Sequence, residues 1–205
     1  MKQQAKVNYQ LILDKTIQDI TNSGKRPSLL LHACCAPCSS YVLEYLTQYF
    51  DITVFYYNPN ISPESEYIHR TEEIQRLIRE FRPEVKFIEG KYEPQRFYEI
   101  SKGLEKEPER GARCLKCYSL RLEESAAAAV KGGFDYFTTT LSISPQKDSQ
   151  VLNAVGKEVS DKYNIPYLFS DFKKRGGYKR SIELSAQFSL YRQNFCGCVF
   201  SRTAN

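Results

Sequence analysis

The stretch "SLLLHACCAPCSSYV", Ser28 to Val42, decides the fold. Its first half, "SLLLHA", is a short apolar run of the length of a buried strand. Its second half opens a helical pattern that continues through Val42, Leu43 and Leu46. Cys34, Cys35 and Cys38 fill the turn between them. A strand that hands over to a helix is the first half of a βαβ unit, so the fold follows from whether the alternation repeats.

It repeats almost throughout. "DITVFYYN" (51–58) is β-branched and aromatic, as strands are. Residues 63–81 read as a helix through Ile68, Ile74, Leu77 and Ile78, and "EVKFIEG" (84–90) as a third short strand. Residues 94–102 are predicted helical, and a polar stretch, "GLEKEPERGAR", follows. Cys114 opens a strong helix rich in Ala, Leu, Arg and Glu that closes on Gly132-Gly133. "DYFTTTL" (135–141) reads as a strand, "SISPQKD" as a loop, and Asp148 as the cap of a helix carrying Val151, Leu152, Val155 and Val159. "PYLFSDF" reads as a last strand, and a basic loop leads to a final helix and the tail "NFCGCVFS". Ahead of all this, Val7, Leu11, Leu13, Ile17 and Ile20 suit an amphipathic helix over about 6–20, stopped by Asn22-Ser-Gly24. The expected architecture is α/β, a mostly parallel sheet with helices on both faces, in one domain.

The chain has 205 residues, 41% apolar and 26% charged, an ordinary globular balance large enough for a real core. No apolar run approaches the ~20 residues of a membrane span. "MKQQAKVNYQLILDKTIQDI" is broken by charge and has no apolar signal core, so the expected location is the cytoplasm, without a membrane partner. A net charge of +5 permits nucleic acid without demanding it.

Cysteine use is the sharpest feature. All seven cysteines fall in three tight groups, Cys34/Cys35/Cys38, Cys114/Cys117 and Cys196/Cys198. Thiols used as small core residues would be scattered, and an odd number prevents full internal pairing. A reducing compartment disfavours structural disulfides, so the clustering points to metal or redox chemistry. Thiolates suit both an iron–sulfur cluster and zinc, and spacing alone does not choose between them. Cys38, one turn into the helix, serves either as a ligand or in packing. His32 reads as a structural residue at the strand end, and His69 as a surface or packing residue.

Ligand sites in parallel sheets lie beyond the carboxyl ends of the strands, where "HACCAPC", "YNPN" and "TTTLSISPQKD" fall. The first also meets a helix N-terminus, whose positive end favours thiolate. "ACCAPCSS" has no glycine cradle and no Walker lysine, so ATP use is not supported. In "KKRGGYKR", Lys173, Lys174, Arg175, Lys179 and Arg180 crowd eight positions without an acid, a loop suited to a phosphate backbone.

Taken in order, "LHACCAPCSSYVL", "YYNPNI", "EPERGARCLKCYSLRL", "FTTTLSISPQKD", "DFKKRGGYKRS" and "LYRQNFCGCVFS" resemble the QueH family of epoxyqueuosine reductases, over nearly all of the chain after about Leu29. The resemblance implies a HUP-like three-layer α/β sandwich without an ATP loop, its core over about 28–172 and a C-terminal basic loop, helix and CxC tail over 173–205. It implies reduction of epoxyqueuosine to queuosine in tRNA, at the anticodon wobble position, as the last step of queuosine synthesis. It also implies a [4Fe–4S] cluster, a further iron nearby and an electron donor that the sequence does not identify. The expected metal ligands are Cys34, Cys35, Cys114, Cys117, Cys196 and Cys198, with Cys38 the additional candidate. Proton donors are sought among Tyr118, Lys147, Asp148 and Asp171. Lys173, Lys174, Arg175, Lys179, Arg180 and Arg192 are candidates for the tRNA backbone. The competing classes are a zinc-stabilised tRNA-binding module and a thiol-disulfide oxidoreductase.

Overall fold

The computed structural model describes residues 6–201, so the outermost residues of the expected domain lie outside the described part. Four strands, β1 (Ser28–His32), β2 (Asp51–Tyr56), β3 (Lys86–Glu89) and β4 (Tyr136–Thr139), form one sheet in the order β3-β2-β1-β4. All three pairings are parallel, with Leu30 opposite Thr53 on one side and Phe137 on the other.

β1 is central and buried on both sides, which is why it is apolar without alternation. Leu29 and Leu31 point into one core, with Val54 and Tyr56 of β2. Leu30 points into the other, with Phe55 and Phe137. This two-residue alternation splits one apolar run between two helical layers. One layer contains α1 (Tyr9–Asn22), α2 (Ala36–Leu46) and α3 (Glu64–Phe81), which contribute Leu13, Leu43 and Ile74. The other contains α5 (Ala112–Gly132) and α6 (Ser149–Tyr163), which contribute Leu122 and Leu152. The arrangement is an α/β three-layer sandwich, consistent with a HUP-like fold. Outside these layers, α4 (Pro94–Ser101) brings Phe97 against Cys117 and Cys198. The last helix, α7 (Gly177–Gln187), packs on α2. Contact there is so close that a Cβ on Gly177 would collide with the Phe172 carbonyl and the Tyr41 ring.

Four local expectations need correction. "PYLFSDF" does not become a strand: it meets the sheet only through a single parallel bridge, Phe137 to Tyr167. β4 ends at Thr139, and Thr140–Ile143 tightens into a 3₁₀ turn held by the Thr139 hydroxyl, which accepts from Leu141 N. "KKRGGYKR" is not one loop, because α7 starts at Gly177 and carries Lys179 and Arg180. Val7 precedes α1 and, like Leu11 and Ile68, is exposed. The buried stripe of α1 is Gln10, Leu13, Ile17 and Ile20.

Candidate metal centre

The sheet order changes direction at β1. The chain moves from β1 outward to β2 and β3, then returns to place β4 on the other side. A crevice opens at such a switch point beyond the strand ends. Here it is walled by the turn after β1, the 3₁₀ turn after β4 and the C-terminal segment. The result is a cavity of about 340 Å³ whose lining includes Cys34, Cys35, Cys38, Cys196, Arg121 and Lys147.

The turn after β1 presents its thiols because the local backbone leaves them no other task. Cys35 is the N-cap of α2 in extended conformation, but its side chain caps nothing, and Pro37 fixes the first helical turn. The sulfurs of Cys34, Cys35 and Cys38 all lie within 4.8 Å of one another, and those of Cys34 and Cys35 are 3.8 Å apart. Thiolates bound about 2.3 Å from one tetrahedral metal ion stand at a similar separation, about 3.8 Å.

Hydrogen bonds from Cys35 and Cys38 hold the Cys34 thiol well below its ordinary range. The same contact with Cys34 pushes Cys35 up to about 12, and Cys34 and Cys35 together push Cys38 up. Ionisation is thus favoured at Cys34 and opposed at its two neighbours. A metal cation is what lets all three ionise together, releasing protons as it binds. An all-sulfur donor set selects soft metals, zinc or iron–sulfur, over magnesium or calcium. The residues therefore fit a thiolate-bound metal cofactor.

The other two cysteine groups approach from α5 and from the tail. Cys114 accepts from the backbone N–H of Arg110 at 3.3 Å. Cys117 is buried beside Phe97 and Cys198, and burial, reinforced by Cys196 and Cys198, pushes it up to about 12. Burial also pushes Cys198 up to about 11. Gly197 between the two tail cysteines has φ 96°, a conformation that favours glycine, and a Cβ there would press on Arg70.

Lys147 is buried, with Nζ 3.7 Å from Cys196 Sγ and 5.8 Å from the centre of the Tyr118 ring. Burial alone would lower its pKa, but Cys196 and Tyr118 outweigh it, so Lys147 stays protonated. Burial pushes Tyr118 up to about 12, so its hydroxyl keeps its proton too.

The structure places other sequence candidates elsewhere. Asp148 is exposed and caps α6, accepting from Gln150 N at 2.8 Å. Asp171 accepts from Ser149 Oγ at 3.0 Å and pairs with Lys173 at 3.0 Å. Lys173 also donates to the carbonyl of Ser142 at 2.7 Å. Arg175 pairs with Asp14, and Arg180 with Glu44 and Glu183. Lys174 and Lys179 are exposed, while Arg192 lies at the cavity wall and donates to Ser185 Oγ at 3.0 Å.

Several residues of this site escaped the sequence reading. Asn58 and Arg121 form a buried polar group beneath the thiols with His32, which has the structural place expected of it. Asn60 Oδ1 and Arg70 Nη2 are buried without hydrogen-bond partners among the described residues, on residues that line the cavity. The available signal was the "YNPN" run at the end of β2 and the spacing of Cys114, Cys117 and Arg121, three and four residues apart on one helix face.

A family profile described as "Epoxyqueuosine reductase QueH" matches residues 29–204. The epoxyqueuosine reductase QueH of Staphylococcus epidermidis is 47% identical to this chain over 98% of the chain and 87% of the relative. That of Streptococcus pyogenes serotype M1 is 45% identical over 98% of the chain and 80% of the relative. That of Thermotoga maritima is 38% identical over 85% of the chain and 90% of the relative.

Proposed function

The chain belongs to the epoxyqueuosine reductase QueH family, and we propose that it reduces epoxyqueuosine to queuosine in tRNA with an iron–sulfur cofactor held by its cysteines. The observation that carries this reading is the set of three thiols, Cys34, Cys35 and Cys38, with sulfurs within 4.8 Å of one another on the wall of a cavity shared with Cys196 and Lys147.

The reaction removes the epoxide oxygen from a cyclopentane ring. Two C–O bonds break, a C=C bond forms, two electrons and two protons enter, and water leaves. Thiolates from Cys34, Cys35, Cys38, Cys114, Cys117, Cys196 and Cys198 would hold a [4Fe–4S] cluster and a neighbouring iron, which would supply single electrons and a Lewis-acidic position. The chain's own residues supply the rest. Lys147, protonated and buried, is the proton donor we assign to the departing oxygen, with Tyr118 behind it as the second proton-bearing group. Asp148 acts through the helix it caps, fixing the start of α6 next to Lys147. The unpartnered Asn60 Oδ1 and Arg70 Nη2 offer an acceptor and a donor to a polar ligand in the cavity. Lys174, Lys179 and Arg192 are the basic side chains we assign to the tRNA backbone, because Lys173, Arg175 and Arg180 are engaged in ion pairs within the protein.

Among the described residues, no helix is long and apolar enough to cross a membrane. We place the reaction in the cytoplasm, where reducing conditions keep the thiols available as ligands. Anaerobic purification tests the cofactor. Brown protein with about five irons and four sulfides per chain is expected. Colourless protein with stoichiometric zinc after iron and sulfide reconstitution would overturn the iron–sulfur reading.

A further inference from the structure

Arg121 is the largest side chain in the fully buried part of the molecule, 2% exposed. It lies on α5 one turn beyond Cys117, on the helix face that meets the sheet. Two neutral groups clamp its guanidinium at the strand ends. Nη2 donates to Asn58 Oδ1 at 2.5 Å, and Asn58 is itself fixed by donating from Nδ2 to the Ala33 carbonyl at 2.9 Å. Nε donates to His32 Nε2 at 3.3 Å. Neither an amide nor an imidazole can carry the negative charge that would balance the guanidinium. The imidazole is held in turn by the Tyr57 carbonyl, 3.1 Å from Nε2, and by Thr139 Oγ1, 2.8 Å from Nδ1.

A guanidinium does not lose its proton, and a buried cation without an anion costs several kcal/mol. The other buried arginines have either a carboxylate or a pair of backbone carbonyls. Arg70 pairs with Glu66 at 2.7 Å, and Arg113 donates to the carbonyls of Leu104 and Glu105, both at 2.8 Å. Arg121 has no carboxylate within 4.0 Å among the described residues. Instead it lines the cavity together with Cys34 and Cys196, and Cys117 lies one turn before it on the buried face of α5, so each cysteine group has a member beside it. A buried cation at the meeting point of three thiol groups, held by neutral side chains that leave its charge uncancelled, is arranged to offset negative charge on those sulfurs.

We infer that Arg121 is the fixed counter-charge of the metal centre, a positioning residue that makes the centre easier to reduce. The inference rests on the iron–sulfur reading above. Each electron entering a thiolate-bound centre adds negative charge in a low-dielectric site, and a permanent cation nearby stabilises the reduced state most. Arginine suits this task because its fork accommodates the Asn58 and His32 contacts together.

The test is a potentiometric titration of the anaerobically reconstituted full chain, followed by electron paramagnetic resonance, with iron and sulfide counted in every sample. Arg121→Gln should retain colour and iron, yet the ratio of reduced to oxidised centre at a given poise should fall about tenfold, a midpoint lower by ~59 mV for one electron. Arg121→Lys should recover most of that shift. Iron-loaded Arg121→Gln with an unchanged midpoint overturns the inference alone. Wild-type protein that takes up no iron overturns the iron–sulfur reading and this inference with it. If Arg121→Gln binds no iron, the lysine variant decides. Iron at wild-type content with a midpoint close to wild type supports the counter-charge, and failure to bind iron despite the retained charge overturns it.

Discussion

Cys34, Cys35 and Cys38 are carried by a central strand and the first turn of a helix, whereas Cys196 and Cys198 ride on a segment that is neither strand nor helix from Leu190 to Cys198. The first group inherits its position from the sheet. β1 is hydrogen-bonded on both sides, and Ala33 N continues the ladder by donating to the Phe55 carbonyl at 2.9 Å. The second group is held by two side chains of α3 and one backbone bond from the loop before it. Arg70 donates to the Cys196 carbonyl, Glu73 accepts from Tyr191 N at 2.8 Å, and Ser62 N donates to the Gly197 carbonyl at 2.9 Å. One set of thiols is preorganised by backbone, the other by a handful of polar contacts. The second set should therefore be the one that loosens when a single side chain is removed.

The largest effect is expected on the backbone-held side. Cys34→Ala removes the sulfur that touches both of its neighbours, and turnover should fall more than ~100-fold with loss of iron, beyond what the loss of a group behind the ligands causes. Iron analysis and conversion of modified tRNA check this, and a Cys34→Ala protein with normal iron would erase the distinction drawn here. On the other side, Arg70→Ala strips a buried ion pair from Glu66 and releases the Cys196 carbonyl. Breaking a buried pair costs ~3–5 kcal/mol, so thermal unfolding should shift down strongly, and alkylation of Cys196 and Cys198 should accelerate ahead of Cys34. Uniform acceleration at all three would mean that the tail is no less securely held than the turn.

Between the two regions stands Lys147, from the loop after β4, reaching Cys196. Lys147→Met keeps the shape and removes the proton. Turnover should drop ~100-fold with the visible spectrum retained, as for loss of a general acid. A variant with full turnover removes Lys147 from the mechanism. The smallest effect is expected at the exposed basic residues. Lys174→Ala with Lys179→Ala should weaken tRNA binding several-fold and reduce the slope of affinity against salt, without changing the iron content. An unchanged slope would place the tRNA elsewhere.

The same contrast explains what could be read in advance. Apolar runs and helical periodicity are local, so β1, β2 and the α5 helix were legible from "SLLLHA", "DITVFYYN" and "CLKCYSLRL". The first thiol group was legible because its strand-to-helix turn is local as well. Contacts between distant segments leave little trace. "PYLFSDF" has strand composition but finds only one bridge, because its partner β4 ends at Thr139 and turns away. Arg121 reads as an ordinary helix former in "SLRLEES", and only the packed sheet brings His32, Asn58 and three cysteine groups to it. The acid-free run 173–180 suggested free cations, yet Asp14, Glu44 and Asp171 meet three of them from other elements.

Turnover on the natural modification ties these threads together. Full-length protein, purified and loaded with iron and sulfide without oxygen, is supplied with a reductant and tRNA carrying epoxyqueuosine, and the nucleosides are weighed by mass spectrometry. Loss of one oxygen, in amounts that track the iron content and vanish in Cys34→Ala, is the expected result. Iron-loaded protein that leaves epoxyqueuosine unchanged would contradict it.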